Sequence, residues 1–365
     1  MYSFDPTEEQ QMLIDAINKY AVNDLRTAAR DAEEDRELPK KLVSKGWELG
    51  LLQASVPEAY GGFGDRSAVT GALALEEMAF GDLAGTLAVM TPSLFATPIL
   101  LGGTEEQKQK YLPKIIEGDW APYTAALIEY TFDFDPHELK TTATQKGDEV
   151  VLNGEKAFVP FAADAEMMLV YANLDGQTQG FIVPKDAAGL TVSGEREKLM
   201  SLNALPMYRV KLDNVKVPAA NQLGGASGMD FELVLASMRI AAAAAAVGVA
   251  NAAFEYSKDY AKEREVFGVK IAQKQAIAFM LAEMRTEIEA SRLLSWEAAW
   301  KLDQGREDAA NDAYLAYTGA VDMAMMVTDR AVQILGGHGY IREHPVEMWM
   351  RNGRGFATFT GLAII

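Results

Sequence analysis

The chain has 365 residues, 49% of them hydrophobic and 24% charged, enough to bury a large core and to divide into two or three domains that share interfaces. A net charge of −18 and a pI near 4.7 oppose binding to nucleic acid or anionic lipid. The absence of cysteine excludes thiol chemistry, and with only His137, His338 and His344 a histidine-rich metal site is not expected.

From the N-terminus, MYSFDPTEEQQMLIDAINKY lacks the basic-then-apolar order of a signal peptide, and no uninterrupted apolar run reaches membrane-spanning length, so a cytoplasmic protein is expected. Residues 1–120 read as an α-helical domain. Thr7-Glu8-Glu9-Gln10 is a capping box ahead of Met12, Leu13, Ala16, Ile17 and Tyr20, and Thr104-Glu105-Glu106-Gln107 repeats the device. Pro57 and Gly61-Gly62 break the helices, and Gly118-Asp119 ends the region.

Residues 121–225 shift towards a period of two. Val150-Val151-Leu152 runs into Asn153-Gly154, a hairpin-turn dipeptide, and then Ala157-Phe158-Val159. Met167 to Tyr171, Phe181 to Val183 and Tyr208 to Leu212 read as further strands of a compact antiparallel β domain. Residues 226–365 are helical again. The run Ala241 to Ala246 favours helix and lets a neighbouring helix approach closely. Glu283, Glu287 and Arg292 mark an exposed face on the next helix, and His338 and His344 bracket a turn in which a structural role is expected.

Several separated segments together resemble the acyl-CoA dehydrogenase family: Gly103-Thr104-Glu105-Glu106-Gln107-Lys108 with Tyr111-Leu112-Pro113; Val151-Leu152-Asn153-Gly154-Glu155-Lys156; Asp213-Asn214-Val215-Lys216-Val217-Pro218; Arg264-Glu265-Val266-Phe267-Gly268; and Gln333-Ile334-Leu335-Gly336-Gly337-His338-Gly339-Tyr340. They occur in the family's order over nearly the whole chain. The resemblance implies an α+β, mostly α, fold: an N-terminal helical domain, a middle antiparallel β-barrel-like domain and a C-terminal four-helix bundle, assembled as a dimer or a dimer of dimers. Relatives usually continue for some residues beyond the position of Ile365.

The family's reaction removes an α proton from an acyl-CoA thioester with a carboxylate base while the β hydrogen leaves as hydride to FAD. The resemblance puts that base in an aromatic-Glu-Gly-Thr motif, which here is Phe359-Thr360-Gly361-Leu362, so the position is Thr360. A minority of relatives carry the Glu before an Arg on the long helix, where this chain has Met238 before Arg239. No catalytic residue is therefore assigned. The family's Thr-Glu-Pro loop along the flavin ring reads Ile128-Glu129-Tyr130-Thr131-Phe132-Asp133-Phe134-Asp135, and its Trp-Ile-Thr strand reads Phe158-Val159-Pro160, where proline offers no donor. Leu362 and Ile364 stand where polar residues usually touch the cofactor.

The contacts that a neighbouring subunit's bundle makes to the flavin pyrophosphate and adenosine are retained: Arg264, Phe267, Gln275, Gln333, Gly336 and Gly337 are the cofactor-binding positions. One reading is a pseudo-enzyme subunit of a hetero-oligomeric acyl-CoA dehydrogenase, of α2β2 type, sharing FAD with a related partner that houses most of the cofactor and binds the acyl-CoA, with electron-transfer flavoprotein as acceptor. Some members acting on bulky substrates such as steroid side-chain thioesters resemble this arrangement. A second is a self-sufficient homo-oligomeric flavoenzyme whose base is Glu129 or Asp135. A third is a structural or regulatory protein without flavin. In the first reading Phe132 and Phe134 plug the vacated slot, because an empty cavity there is costly.

Overall fold

The computed structural model describes residues 6–365. The N-terminal region contains α1 (Glu8–Tyr20), α2 (Arg26–Asp35), α3 (Lys40–Trp47), α4 (Ala68–Gly81), α5 (Leu83–Val89), α6 (Ser93–Gly102) and α7 (Glu105–Ile116). Both capping boxes form, with Thr7 and Thr104 accepting from the amides of Gln10 and Gln107 while each glutamine side chain returns to the cap backbone. Gln107 does more than cap. Its amide donates to the carbonyls of Ala220 and Gln222 and accepts from Gly224, tying α7 to the exit of the middle domain. Between α1 and α2 the helix is continuous through a π turn, Ala21–Leu25.

The middle region holds β1 (Thr124–Ala126), β2 (Thr142–Lys146), β3 (Glu149–Pro160), β4 (Met167–Leu174), β5 (Gln177–Pro184), β6 (Leu190–Val192) and β7 (Met207–Pro218), one curled sheet of order β1-β4-β2-β3-β7-β6 with β5 on the other edge of β4. The sheet is mostly antiparallel, but β1 runs parallel to β4. Asn153-Gly154 is not the expected hairpin turn. The turn lies at Gly147-Asp148, and β3 runs on through Asn153-Gly154, where Asn153 faces two residues of β7, Asp213 and Asn214, as a bulge in β7. Gly154, at φ 151°, passes so close to Thr141 that a Cβ would meet its side chain at 2.5 Å, and Asn153 Oδ1 accepts from the amide of Asn214. The register is therefore set by β7, which lies some sixty positions away in sequence.

The C-terminal region is built on α8 (Phe231–Glu263), followed by the short hairpin β8 (Glu265–Val266) and β9 (Val269–Lys270), then α9 (Gln275–Asp303), α10 (Ala309–Leu335) and the shorter α11 (Val346–Gly355). Alone among the described helices, α8 is long and apolar enough to cross a bilayer, but 89% of its apolar window is buried inside the bundle. Ala241 to Ala246 are all buried, and at Gly248 a Cβ would meet the carbonyl oxygen of Glu76 at 2.2 Å, so α4 and α8 are nearly in backbone contact. Arg292 does not join the exposed face with Glu283 and Glu287. It is buried, with Nε 2.6 Å from Glu76 Oε1, an ion pair that locks α9 to α4.

Two further ties fix the domains. Asp303 at the end of α9 accepts from the amides of Ala68 and Val69 and from Ser67 Oγ, capping α4 from across the chain. Glu33 on α2 takes the amide and side chain of Asn203 together with Arg351 of α11, so a single carboxylate meets all three regions.

Candidate active site and cofactor face

Thr360 follows α11 on a short irregular segment. Its hydroxyl donates to Tyr317 Oη at 3.1 Å, and Tyr317 donates in turn to the Phe356 carbonyl at 2.8 Å. The base position therefore holds a locked pair of neutral hydroxyls. Met238 is fully buried, and Arg239 beside it stacks over the Tyr314 ring at 4.9 Å.

Glu129 is held where it cannot act as a base. It is buried, with Oε1 2.8 Å from Lys156 Nζ, and its oxygens accept from the amides of Lys140 (2.7 Å) and Thr141 (2.8 Å). Burial raises its pKa, but the Lys156 charge and these hydrogen bonds together bring it below the usual carboxylate range. Burial draws Lys156 down to about 8, which still leaves it protonated at neutral pH. Asp135 is exposed and accepts from the amide of His137. Neither carboxylate is free and poised as a base, which counts against the relocated-base reading.

The rest of the slot is aromatic and apolar. Ile128 is buried, and Tyr130 lies against Phe158, with ring centroids 6.3 Å apart, under the Arg209 guanidinium at 4.1 Å. Phe158 adopts φ 55°, a conformation rare for a bulky side chain, within the irregular pairing between Lys156 and Val159. Pro160 pairs with Met207 at the end of β3. Phe132 does not plug the slot: it is fully exposed, because the Thr131–Asp133 turn carries it away from the sheet. Phe134 is partly buried and packs against both large core clusters, so it does fill space.

The six positions expected to contact a cofactor lie elsewhere, at one end of the bundle. Arg264 ends α8, its amide bonded to the Tyr260 carbonyl and its carbonyl accepting from the Ile271 amide, which leads to Gln275 at the start of α9. Tyr260 Oη meets His338 Nδ1 at 2.9 Å, bringing the Gly336–Tyr340 turn to the same end. Arg330 pairs with Glu283 one turn before Gln333, fixing the end of α10 against α9. Arg264, Phe267, Gln275, Gln333, Gly336 and Gly337 are all exposed. The Arg264 guanidinium and the Gln275 and Gln333 amides have no partner among the described residues. Phe267 (φ 54°) and Gly268 (φ 76°) form the two-residue turn of β8 and β9, a strained geometry that holds the Phe267 ring 93% exposed.

His338 and His344 stack at 5.2 Å with only 14° between their planes, and Tyr256 Oη meets His344 Nδ1 at 2.7 Å. Burial, followed by the His338 charge, holds the His344 pKa below its ordinary value, with Glu343 opposing. Because the folded chain binds this proton less readily than the unfolded chain, the contribution to stability is complete above about pH 6.5 and is lost as pH falls through the lowered folded value. His344→Asn, which keeps an acceptor for Tyr256, is expected to reduce the fall in melting temperature between pH 7 and pH 5. Equal slopes for the two proteins would refute this account.

These residues divide in their fitness for a flavin. The exposed bundle end offers an unpaired guanidinium, two amides and an open glycine backbone, which suit the phosphates and polar edge of a dinucleotide. The chain's own slot does not suit the ring. Pro160 has no N–H, Ile128 has no hydroxyl, and Thr360 already donates to Tyr317.

Sequence reading gave Lys156 no role, because a lysine in a strand carries no local sign that a glutamate 27 positions earlier, in the segment after β1, will bury with it. Tyr317 was missed for the same reason: it meets Thr360 only after α10 and the C-terminal segment pack.

Comparison with known proteins covers the whole architecture. Family models described as acyl-CoA dehydrogenase N-terminal, middle and C-terminal domains match residues 7–119, 125–215 and 230–363. A probable acyl-CoA dehydrogenase, YngJ, of Bacillus subtilis (strain 168) is 37% identical over 363 residues, covering 96% of this chain and 94% of the relative. Butyryl-CoA dehydrogenase from Megasphaera elsdenii superposes with a TM-score of 0.89 at 33% identity, over 99% of this chain and 96% of that one. A glutaryl-CoA dehydrogenase from Mycobacterium smegmatis, solved with FADH2, has a TM-score of 0.86 at 26% identity, over 98% and 92% of the two chains. With all three regions matched in order on the fold described above, this chain belongs to the acyl-CoA dehydrogenase family of flavoenzymes.

Proposed function

We propose that this chain is the non-catalytic subunit of a hetero-oligomeric acyl-CoA dehydrogenase, of α2β2 type, working with a related chain that supplies the carboxylate base and houses most of the FAD. The observation that carries this reading is the asymmetry of the two half-sites. The internal one holds Thr360 locked to Tyr317, and Glu129 consumed by Lys156, while the exposed one keeps Arg264 without a partner among the described residues. Uniform decay would have eroded both.

When bound, FAD supplies the hydride acceptor; everything else asked of this chain is positioning. Arg264 would fork onto pyrophosphate oxygens, Gln275 and Gln333 would hold polar edges, and Phe267 would shield the phosphates from water. Acyl-CoA would lie in the partner, electron-transfer flavoprotein would accept the electrons, and the complex would be cytoplasmic. A second reading is a self-sufficient homo-oligomeric flavoenzyme, and likeness along nearly the full length to a relative described as a probable acyl-CoA dehydrogenase supports activity in the chain itself.

Expression discriminates between them. The chain alone is expected to purify colourless and inactive, and a yellow, active complex is expected on co-expression with a related, neighbour-encoded chain. Stoichiometric flavin in the isolated homo-oligomer would instead establish the second reading.

A further inference from the structure

The cation left beside the base position has lost its natural counter-charge. Arg239 is half-buried on α8, and among the described residues no carboxylate lies within 4.0 Å of its guanidinium and none of its N–H groups makes a hydrogen bond. Other partly buried arginines differ. Arg30 and Arg351 pair with Glu347, Arg292 pairs with Glu76, and Arg66 donates to Ser237 and to the Ile365 main chain.

The ring in direct contact with Arg239 is uncharged. One side of the guanidinium rests on the Tyr314 ring, which is itself half exposed, and beyond it stand Tyr317 and Thr360. Tyr317 donates to the Phe356 carbonyl and receives the proton of Thr360, and neither hydroxyl oxygen accepts from the guanidinium. Glu232 and Asp135 act on Arg239 only through space, and both are exposed. Burial lowers its pKa against their pull, but a guanidinium remains charged at neutral pH.

A fixed planar cation, partly desolvated, backed by an aromatic ring and lacking an acceptor is suited to bidentate recognition of a carboxylate. The positions at which a carboxylate would belong to the chain itself are occupied by Thr360 and Met238.

We propose that Arg239, with Tyr314 as its backing and Thr360 as its neighbour, forms a carboxylate-binding site, so that the slot that has lost its base holds an anionic ligand rather than a reacting thioester. This rests on the reading that the chain lacks a base of its own. The occupant is a small organic acid whose aliphatic part lies against the exposed Tyr314 ring.

The test is a calorimetric titration of the isolated chain at pH 7 and constant ionic strength, with sodium hexanoate as probe and hexanamide as its neutral counterpart. Hexanoate is expected to bind once per chain and hexanamide not at all. Arg239→Gln should weaken hexanoate about tenfold or more, since the lost bonds are charge-assisted. Thr360→Glu should abolish binding by supplying an internal carboxylate, while Thr360→Gln, of nearly the same shape, should leave it within a few-fold of the parent. Circular dichroism checks that each variant is folded, and the Thr360 pair keeps the test decisive if Arg239→Gln is not. Equal affinity in the Glu and Gln variants, equal affinity in Arg239→Gln, or no hexanoate binding by the parent would each overturn the site. None of these readouts involves flavin, so failure here is distinct from failure of the subunit assignment.

Discussion

Lys156→Met is expected to destabilise the chain by about 3–5 kcal/mol, the range for removing one partner of a buried ion pair. Lys156 Nζ has no exposed surface and donates to the Leu127 carbonyl at 3.0 Å and to Glu129 at 2.8 Å. Without it, Glu129 stays in the interior between β1 and β3, with two backbone amides but no cation, and must either remain charged or take up a proton. Both alternatives cost free energy. Adding Glu129→Gln removes the orphaned charge and keeps an acceptor for the amides of Lys140 and Thr141, so the double variant should recover more than 1 kcal/mol of the loss. Urea unfolding followed by circular dichroism measures both. If Lys156→Met falls within 1 kcal/mol of the parent, Glu129 is not locked as described and returns as a candidate base.

What could be foreseen depended on the range of the interaction that encodes it. The capping boxes at Thr7 and Thr104 are contacts over three residues and form as expected. Asn153-Gly154 carries a strong local hairpin preference, but β7 offers a full-length partner, so pairing over twelve residues of β3 overrides a two-residue turn signal, and the irregularity there is a bulge in β7. Arg292 looked solvated because its helix neighbours are acidic. Its actual partner, Glu76, is 216 positions away, and no pattern on α9 announces it. Phe132 and Phe134 are both expected to fill space on hydrophobicity alone, whereas the turn in the loop exposes Phe132 and leaves Phe134 to pack, with Phe158, against the core. The six positions expected to meet a cofactor rest on family motifs, and their common location at one bundle end follows only from the antiparallel packing of α9 against α8 and α10.

Arg264→Ala should separate a cofactor role from a structural one. Its guanidinium is exposed and makes no hydrogen bond or ion pair among the described residues, so the substitution should change the folding stability of the isolated subunit by less than about 0.5 kcal/mol. In the co-expressed complex, the same change removes a charge-assisted fork to a phosphate, about 2 kcal/mol, or roughly thirtyfold weaker flavin retention. Lys262→Ala is the control, because that residue is two positions away, is exposed, and makes only a surface ion pair with Asp259. Flavin should therefore dissociate readily from the Arg264 variant on dilution and remain in the Lys262 variant. Retention in the parent should also weaken as salt is raised, because Arg264 is open to solvent screening where the Glu129–Lys156 pair is not. If the Arg264 variant keeps its full flavin and activity, the bundle end contributes shape alone. The chain would then be a structural partner, and the survival of its arginine, glutamines and glycines would need a different cause.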